Sequence, residues 1–556
     1  MNLSQQRREE SIRKIREIRE FIKHSAQDEN AGRLLTYLSE LEKEIKGKKY
    51  GLVFEEHREK IDETLENYLP VLTEQEDLYI DNGGQMNFLI EGDNLAALEL
   101  LLKTHRGKID LIYIDPPYNR GGTDDFIYDD KRISKTDAYI HSKWISFIKQ
   151  RLELAKKLLT KNGAIFISID DNEQANLKLL CDSIFDESNF AGMIPWRKRT
   201  AKTDVPFGIS QDFEWILIYA RSKFFNAFRK KENERKYYLT PDIPGRPWRI
   251  HDMSTQRTAA ERPNSNFTIQ NPRNGKEYPV NPNAVWRITK ESFPQFLNEN
   301  RIVFPGDYDF LKITRPQLRY FKDDDERKAL EKSGSATGVS ATSTLLPESV
   351  GRTENGTKDF GRLFEEKSFP FPKPVELIKY LIQIGNNYKS SPIILDFFAG
   401  SGTTGQAVLR LNAEDGGSRR FILCTNNEND ICRNITYERI RRVIGNEGYA
   451  ASLKYYKIDF VRISERLYYE YADELLLHIR ELVELENGVN FRNNSEIAIV
   501  LTDEELDAFM ENRSALKACR ALYVGHDVLI NGRQSAALKR RKITVNVIPQ
   551  YYYEES

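Results

Sequence analysis

The sequence predicts an α/β protein with a mostly parallel, doubly wound sheet, interrupted by a long insertion and flanked by smaller terminal modules. Three observations predict it. Residues 85–220 and 369–425 alternate short apolar runs with helical patterns. Two of those runs, Ile109-Asp110-Leu111-Ile112-Tyr113-Ile114 and Ile393-Ile394-Leu395-Asp396-Phe397-Phe398, carry apolar residues on consecutive positions, as strands covered on both faces do. Between them, residues 222–368 lose the alternation and are rich in Pro, Asn, Gly, Arg and aromatic residues.

In chain order, residues 1–48 read as a helical hairpin. Ile12, Ile15, Ile18 and Ile22, then Leu34, Leu38, Leu41 and Ile45, recur at helical spacing, with Asp28-Glu29-Asn30-Ala31-Gly32 as the break. Residues 49–221 form the first half of the core: strands at 88–90, 109–114, 164–169 and 213–219, helices at 94–102 and 144–159. Residues 222–368 are the insertion, with a loop at Ser333-Gly334-Ser335-Ala336-Thr337-Gly338. Residues 369–460 return to the α/β pattern: helix 375–384, strand 393–398, helix 403–411, strand 421–424. Residues 461–556 read as a smaller mixed α/β module ending in an apolar run at 542–548, with no internal repeat anywhere.

A length of 556 residues implies several units rather than one core. No segment approaches the ~18 uncharged apolar residues that cross a bilayer, and the charged N-terminus carries no apolar signal core. Cytoplasm, with no membrane partner, is the expected location. The four cysteines, Cys181, Cys424, Cys432 and Cys519, form no CxxC pair and do not cluster with histidine, which argues against structural zinc or disulfides. A net charge of -1 gives no global signal for nucleic acid, but binding needs only a local basic surface. Candidates are Arg197, Lys198, Arg199 and Lys202, and the stretch 221–252, where nine Lys or Arg face four Asp or Glu. Either stretch is also readable as a solvated face.

The most informative residues are Asp115-Pro116-Pro117-Tyr118-Asn119, at the carboxyl end of a buried strand, where open α/β sheets place their ligands. Two prolines remove backbone donors and hold the preceding residues extended. Methylating an aromatic amine requires localising a nitrogen lone pair that is delocalised into the ring. Two acceptors, one on each N–H, favour that geometry and stabilise the developing positive charge. Asp115 and the Pro116 carbonyl supply such a pair, Pro117 stiffens the loop, and Tyr118 offers a ring for an unstacked base, worth roughly 1–3 kcal/mol. The alternative is a rigid turn with Asp115 capping something nearby.

The second constellation is Asp396-Phe397-Phe398-Ala399-Gly400-Ser401-Gly402-Thr403-Thr404-Gly405, laid out as strand, glycine turn, helix. Gly400 and Gly402 permit close backbone approach, and the helix N-terminus offers N–H groups to an anion such as a methionine carboxylate. Gly400, Gly402 and Gly405, with Glu428 further on, also satisfy a dinucleotide-binding fingerprint. A dehydrogenase, however, leaves Asp115 to Tyr118 without a role.

The two loops together resemble the amino-methyltransferases that act on DNA. The catalytic motif precedes the cofactor motif across a long insertion, as in the β class, where the insertion is the target recognition domain. The resemblance extends towards the Mod subunits of type III restriction–modification systems. It is carried by Tyr50-Gly51-Leu52-Val53-Phe54, Glu91-Gly92-Asp93-Asn94-Leu95, residues 167–173, Phe371-Pro372-Lys373-Pro374-Val375-Glu376-Leu377 and Asn426-Asn427-Glu428-Asn429.

The resemblance implies a circularly permuted sheet of the S-adenosylmethionine-dependent methyltransferase type and adenine N6 as the target. It places Asp396, Phe398, Gly400, Gly402 and Thr403 along the cofactor, Glu428 at its ribose, and Asp93 at its adenine or amino-acid end. Lys373 begins the helix that closes over the methionine moiety. Asp93 and Glu428 are equally readable as a helix cap and a surface acid. Asp170-Asp171 reads as the start of a helix rather than a metal pair, and group transfer from a sulfonium requires no metal. The implied partners are double-stranded DNA, a second copy of the chain, and a Res subunit, an ATP-driven nuclease, since the sequence contains no GxxxxGK[ST] loop of its own. Other readings stay open: a solitary adenine or N4-cytosine methyltransferase, an RNA or protein-amide methyltransferase, and a non-enzymatic DNA-binding module.

Overall fold

The structure, a computed structural model, describes residues 3–24, 29–46, 54–121, 127–128, 131–132, 137–200, 206–230, 236–281, 283–333, 339–364, 369–386, 391–463, 468–491, 494–548 and 550–553. Nine strands form the central sheet. They are β1 (Tyr68–Glu74), β2 (Gln85–Glu91), β3 (Ile109–Ile114), β4 (Leu159–Ile169), β5 (Phe190–Arg197), β6 (Phe213–Ala220), β7 (Ile393–Asp396), β8 (Arg420–Thr425) and β9 (Ala451–Arg462). Their order across the sheet is β1-β9-β2-β8-β7-β3-β4-β6-β5.

From β9 to β4 every neighbour pair is parallel, whereas β1 and β6 run antiparallel to their neighbours. Ile394 and Leu395 of β7 lie opposite Leu111 and Ile112 of β3, although a long insertion separates the two strands in the chain. The chain leaves β3 towards β4 on one side and β7 towards β8 on the other. That makes the β7–β3 junction the switch point of the sheet, and the crevice beyond its carboxyl ends the expected ligand site.

Helices cover both faces. Asn94–His105, Ile140–Leu158 and Gln174–Phe185 lie on one, burying Leu98, Leu101, Ile148, Leu152 and Leu177. Val375–Gly385, Thr403–Asp415 and Glu438–Glu447 lie on the other, burying Ile378, Leu381, Val408 and Ile440. The consecutive apolar residues of β3 are shared between them: Ile112 and Ile114 join the first cluster, Leu111 and Tyr113 the second. Helix Val375–Gly385 presses on the sheet so closely that a Cβ at Gly385 would lie 2.3 Å from Leu111 Cδ1. This contact fixes the height of the segment that leads into the helix.

The described residues of the insertion add no strand to this sheet. They build a separate four-stranded antiparallel sheet from Tyr238–Thr240, Ile243–Asp252, Gln317–Phe321 and Ile302–Val303. Beside it lies a core around Met253, Ile269, Trp286 and Phe304. Residues 334–338 of the expected loop lie outside the described residues.

Helices Leu3–His24 and Glu29–Lys46 form the N-terminal hairpin, held by Arg19 to Glu42 at 2.9 Å. The second helix runs through Gly32, which the sequence placed in the break. The C-terminal segment holds a three-stranded parallel sheet, Ile497–Val500, Ala521–Gly525 and Thr544–Ile548. Its Tyr523 and Ile548, with Leu482 and Val483 of helix Ile479–Asn487, share the hydrophobic cluster of the first face. Among the described residues no helix is long and apolar enough to cross a membrane.

Candidate active site

The strand order sets four loops side by side at the carboxyl edge: after β2 (Asp93), after β8 (Glu428), after β7 (residues 397–402) and after β3 (residues 115–119). The last of these is clamped from below. Trp144 Nε1 donates to the Pro117 carbonyl at 2.7 Å. Asn119, in the left-handed region at φ 58, donates its amide to the Ile140 carbonyl at 3.2 Å. Pro116 is buried beneath the loop.

Asp115 stands partly exposed at the mouth of a compact ionic network. Its Oδ1 accepts the Tyr118 hydroxyl at 2.6 Å and its Oδ2 accepts Lys373 Nζ at 2.7 Å. Lys373 also donates to the Tyr118 oxygen at 2.9 Å and lies 3.3 Å from Glu214 Oε2. Glu214, on β6, faces Lys198 at 3.2 Å and Arg120 at 3.6 Å. Arg120 in turn donates to Asp170 at 2.7 Å. Burial alone would raise the Glu214 carboxyl, but Lys373 and Lys198 outweigh it and hold it below its ordinary range. Burial likewise opposes the charge of Lys373, and Asp115 and Glu214 outweigh it, so its ammonium loses its proton less readily than a free lysine. The phenol of Tyr118 is raised by burial and by the charges of Asp115 and Glu214.

The glycine loop is built from the strand end upward. Asp396 is buried, and its carboxylate accepts the Phe398 amide at 3.0 Å and the Thr404 hydroxyl at 2.5 Å, tying the end of β7 to the helix that follows. Burial pushes this carboxyl up to about 7. Gly400 and Gly402 have φ 49 and 75, a region that favours glycine, and Gly402 caps helix Thr403–Asp415. The first N–H groups of that helix form an anion site by geometry. Beneath the loop, the buried Arg439 guanidinium donates to the Ser401 carbonyl at 3.1 Å and to Thr403 Oγ1 at 2.8 Å. Asn94 Nδ2 donates to the Phe397 carbonyl at 3.1 Å, so the loop after β2 is fastened to the loop after β7. Phe398 and Gly400 are partly exposed while Ala399, Ser401 and Gly402 are buried, so the turn offers a ligand a narrow face flanked by acids.

The structure gives the expected residues the following surroundings. Lys373 bonds Asp115 and Tyr118, which sets its ammonium against the loop after β3. Thr403 turns inward to Arg439, because its hydroxyl is needed to satisfy a buried guanidinium. Tyr118 is buried, its ring covered by Arg120 at 5.0 Å and Lys373 at 5.2 Å, rather than presented as an open platform. Asp93 caps helix Asn94–His105 through the Leu95 amide at 2.7 Å and lies 3.6 Å from Arg151. Glu428 is exposed just beyond β8. Of the basic candidates, Arg197 is exposed, Lys198 turns inward to Glu214, and Arg199 bonds the Gln211 carbonyl. Lys202 lies outside the described residues. In the second basic stretch, Arg246 and Arg249 are paired with Asp323 and Asp325.

Sequence reasoning missed Glu214, Arg120 and Arg439. Glu214 carried a usable signal, a lone acid in the apolar run Phe213-Glu214-Trp215-Ile216-Leu217. Arg439 carried none, since Glu438-Arg439-Ile440-Arg441-Arg442 reads as a solvated helix face.

A family model described as DNA methylase matches residues 109–438. The chain is similar to the Mod subunit of the type III restriction-modification enzyme StyLTI of Salmonella typhimurium, 33% identical over 62% of this chain and 53% of that protein. It is similar to the Mod subunit of the type III enzyme EcoPI of Escherichia phage P1, 30% identical over 63% of this chain and 58% of that one. The type II methyltransferase M.KpnI of Klebsiella pneumoniae is 33% identical over 62% of this chain and 82% of its own length. The chain thus spans little more than half the length of the two Mod subunits.

Proposed function

The chain belongs to the DNA methylase family, and from that membership we propose that it transfers a methyl group from S-adenosylmethionine to adenine N6 in double-stranded DNA. In this reading it serves as the modification and recognition subunit of a type III restriction–modification system. One observation carries the proposal: the glycine loop and Asp115 leave adjacent parallel strands, β7 and β3, at the switch point of the sheet. A ligand on the first loop and a base on the second would share one crevice.

The bound cofactor would supply an electrophilic methyl group. Phe398, Gly400, Gly402 and the N-terminus of helix Thr403–Asp415 would hold it, with Asp93 and Glu428 reaching its far end. Asp115 and the Pro116 carbonyl would each accept one N–H of the target amine and stabilise the charge that develops on nitrogen. Tyr118 would pack against a base taken out of the duplex if that base displaced the exposed Arg120 from its ring. Positioning then carries most of the catalysis. Asp at the first position of the catalytic motif supports adenine over N4-cytosine, and the Mod relatives support the type III assignment. The insertion would read the sequence, a second copy would complete the DNA-binding unit, and a Res subunit would supply translocation and cleavage. A second reading, a methyltransferase that works without a nuclease partner, is less well supported than the type III assignment.

Sequencing modified bases in DNA from a host expressing this gene alone tests the activity. N6-methyladenine at one recurring sequence is expected, and unmodified DNA from a host making folded protein would refute it. Co-purification with the product of a neighbouring helicase–nuclease gene separates the two readings.

A further inference from the structure

Both oxygens of Asp115 are already engaged: Oδ1 by the Tyr118 hydroxyl at 2.6 Å, Oδ2 by Lys373 at 2.7 Å. The proposed reaction needs one of them for the target amine. Lys373 is held from two sides, so the hydroxyl is the easier donor to release. A phenol has one proton, and the Tyr118 hydroxyl has a second acceptor waiting, Glu214 Oε2 at 3.2 Å.

We propose that Glu214 is a positioning residue that takes over the Tyr118 hydroxyl when the target amine replaces it on Asp115 Oδ1. The inference rests on the methyl-transfer reading above and specifies how that site accepts its substrate. No covalent bond changes. One O–H turns from one carboxylate to another, and an N–H of the base fills the place it leaves.

The surroundings of Glu214 suit this task. It sits on β6, inside the sheet and buried, so the acceptor is held in place while the hydroxyl turns. Lys198 and Arg120 face its other oxygen, Oε1, leaving Oε2 towards Tyr118 and Lys373. These cations keep the carboxylate ionised inside the protein, where a neutral acid would compete as a donor. The exchange leaves no buried polar group unpaired at either end, and an unpaired group in such a network is costly. It also selects chemically. A base without an exocyclic amine offers nothing to Asp115 Oδ1 in return for the hydroxyl, so the latch stays closed against it.

The test is a double-mutant cycle on the full chain, using a duplex that contains the site found by modified-base sequencing. Glu214→Gln is expected to lower kcat about tenfold or more, by loss of a charge-assisted bond, with cofactor affinity near wild type and a lower melting temperature, because Lys373 and Lys198 lose a buried counter-charge. In a Tyr118→Phe background, where no hydroxyl needs the acceptor, the same substitution should change kcat less than about threefold. Equal losses in both backgrounds, or a wild-type kcat for Glu214→Gln, would overturn the proposal. Should Glu214→Gln fail to fold, Glu214→Asp keeps the charge for Lys198 but shortens the reach to Tyr118, and the same dependence on the hydroxyl is expected. Wild-type protein that methylates no DNA would instead refute the underlying reading.

Discussion

Lys373 Nζ lies 2.7 Å from Asp115 Oδ2, although 258 residues separate them in the chain. The contact exists because β3 and β7 are sheet neighbours and because helix Val375–Gly385 rests at Gly385 on Leu111 of β3. The second half of the core therefore braces the Asp115 loop of the first, and the order of the two loops along the chain does not prevent them from meeting.

Replacing Lys373 by Met should lower kcat/KM for DNA by about a hundredfold, because Asp115 and the buried Glu214 lose a shared charged partner. Cofactor affinity, read by calorimetry, should change by less than about threefold. Weakened cofactor binding with turnover retained at saturating cofactor would return Lys373 to the role the sequence first suggested.

Asp396 makes stability depend on pH in an unusual direction for a carboxylate. Burial lifts its folded value to about 7 against an ordinary 3.8, so the folded state holds the proton more tightly than the unfolded chain. Its stabilising contribution is complete below about 4 and is lost as pH rises through about 7. The melting temperature of wild type should thus fall more steeply between about pH 4 and 7 than that of Asp396→Asn, which cannot ionise. Parallel curves would contradict the assignment.

The alternation of strands and helices was legible, as were both loops, because buried parallel strands write continuous apolar runs. The outer strands were not. Tyr68–Glu74 contains Pro70, tolerated because β1 is an edge strand paired only to β9. Ala451–Arg462 carries Lys454 and Lys457, which hide its burial from any apolar pattern. Lys454 is buried against Glu484 and Glu74, partners that no local spacing reveals. The same long-range pairing decided the fate of Lys373 and Lys198, two cations that read locally as solvent-facing or ligand-binding.

That pairing also shows that residues beyond 461 are fastened to the core. Lys454→Met would take from the buried Glu74 and Glu484 the cation they share, with Arg480 at 3.6 Å still beside Glu484, at a cost of about 3–5 kcal/mol. Denaturant unfolding should show that loss for the whole chain. A change confined to a separate C-terminal transition would mean that the segment folds independently.

Methyl incorporation into duplex DNA by Asp115→Ala, measured beside equilibrium binding of S-adenosylmethionine, tests the central claim most directly. Transfer should fall to background with cofactor affinity within about threefold of wild type, as expected if Asp115 grips the amine and not the cofactor. Substantial transfer by that variant, with its fold intact, would contradict it.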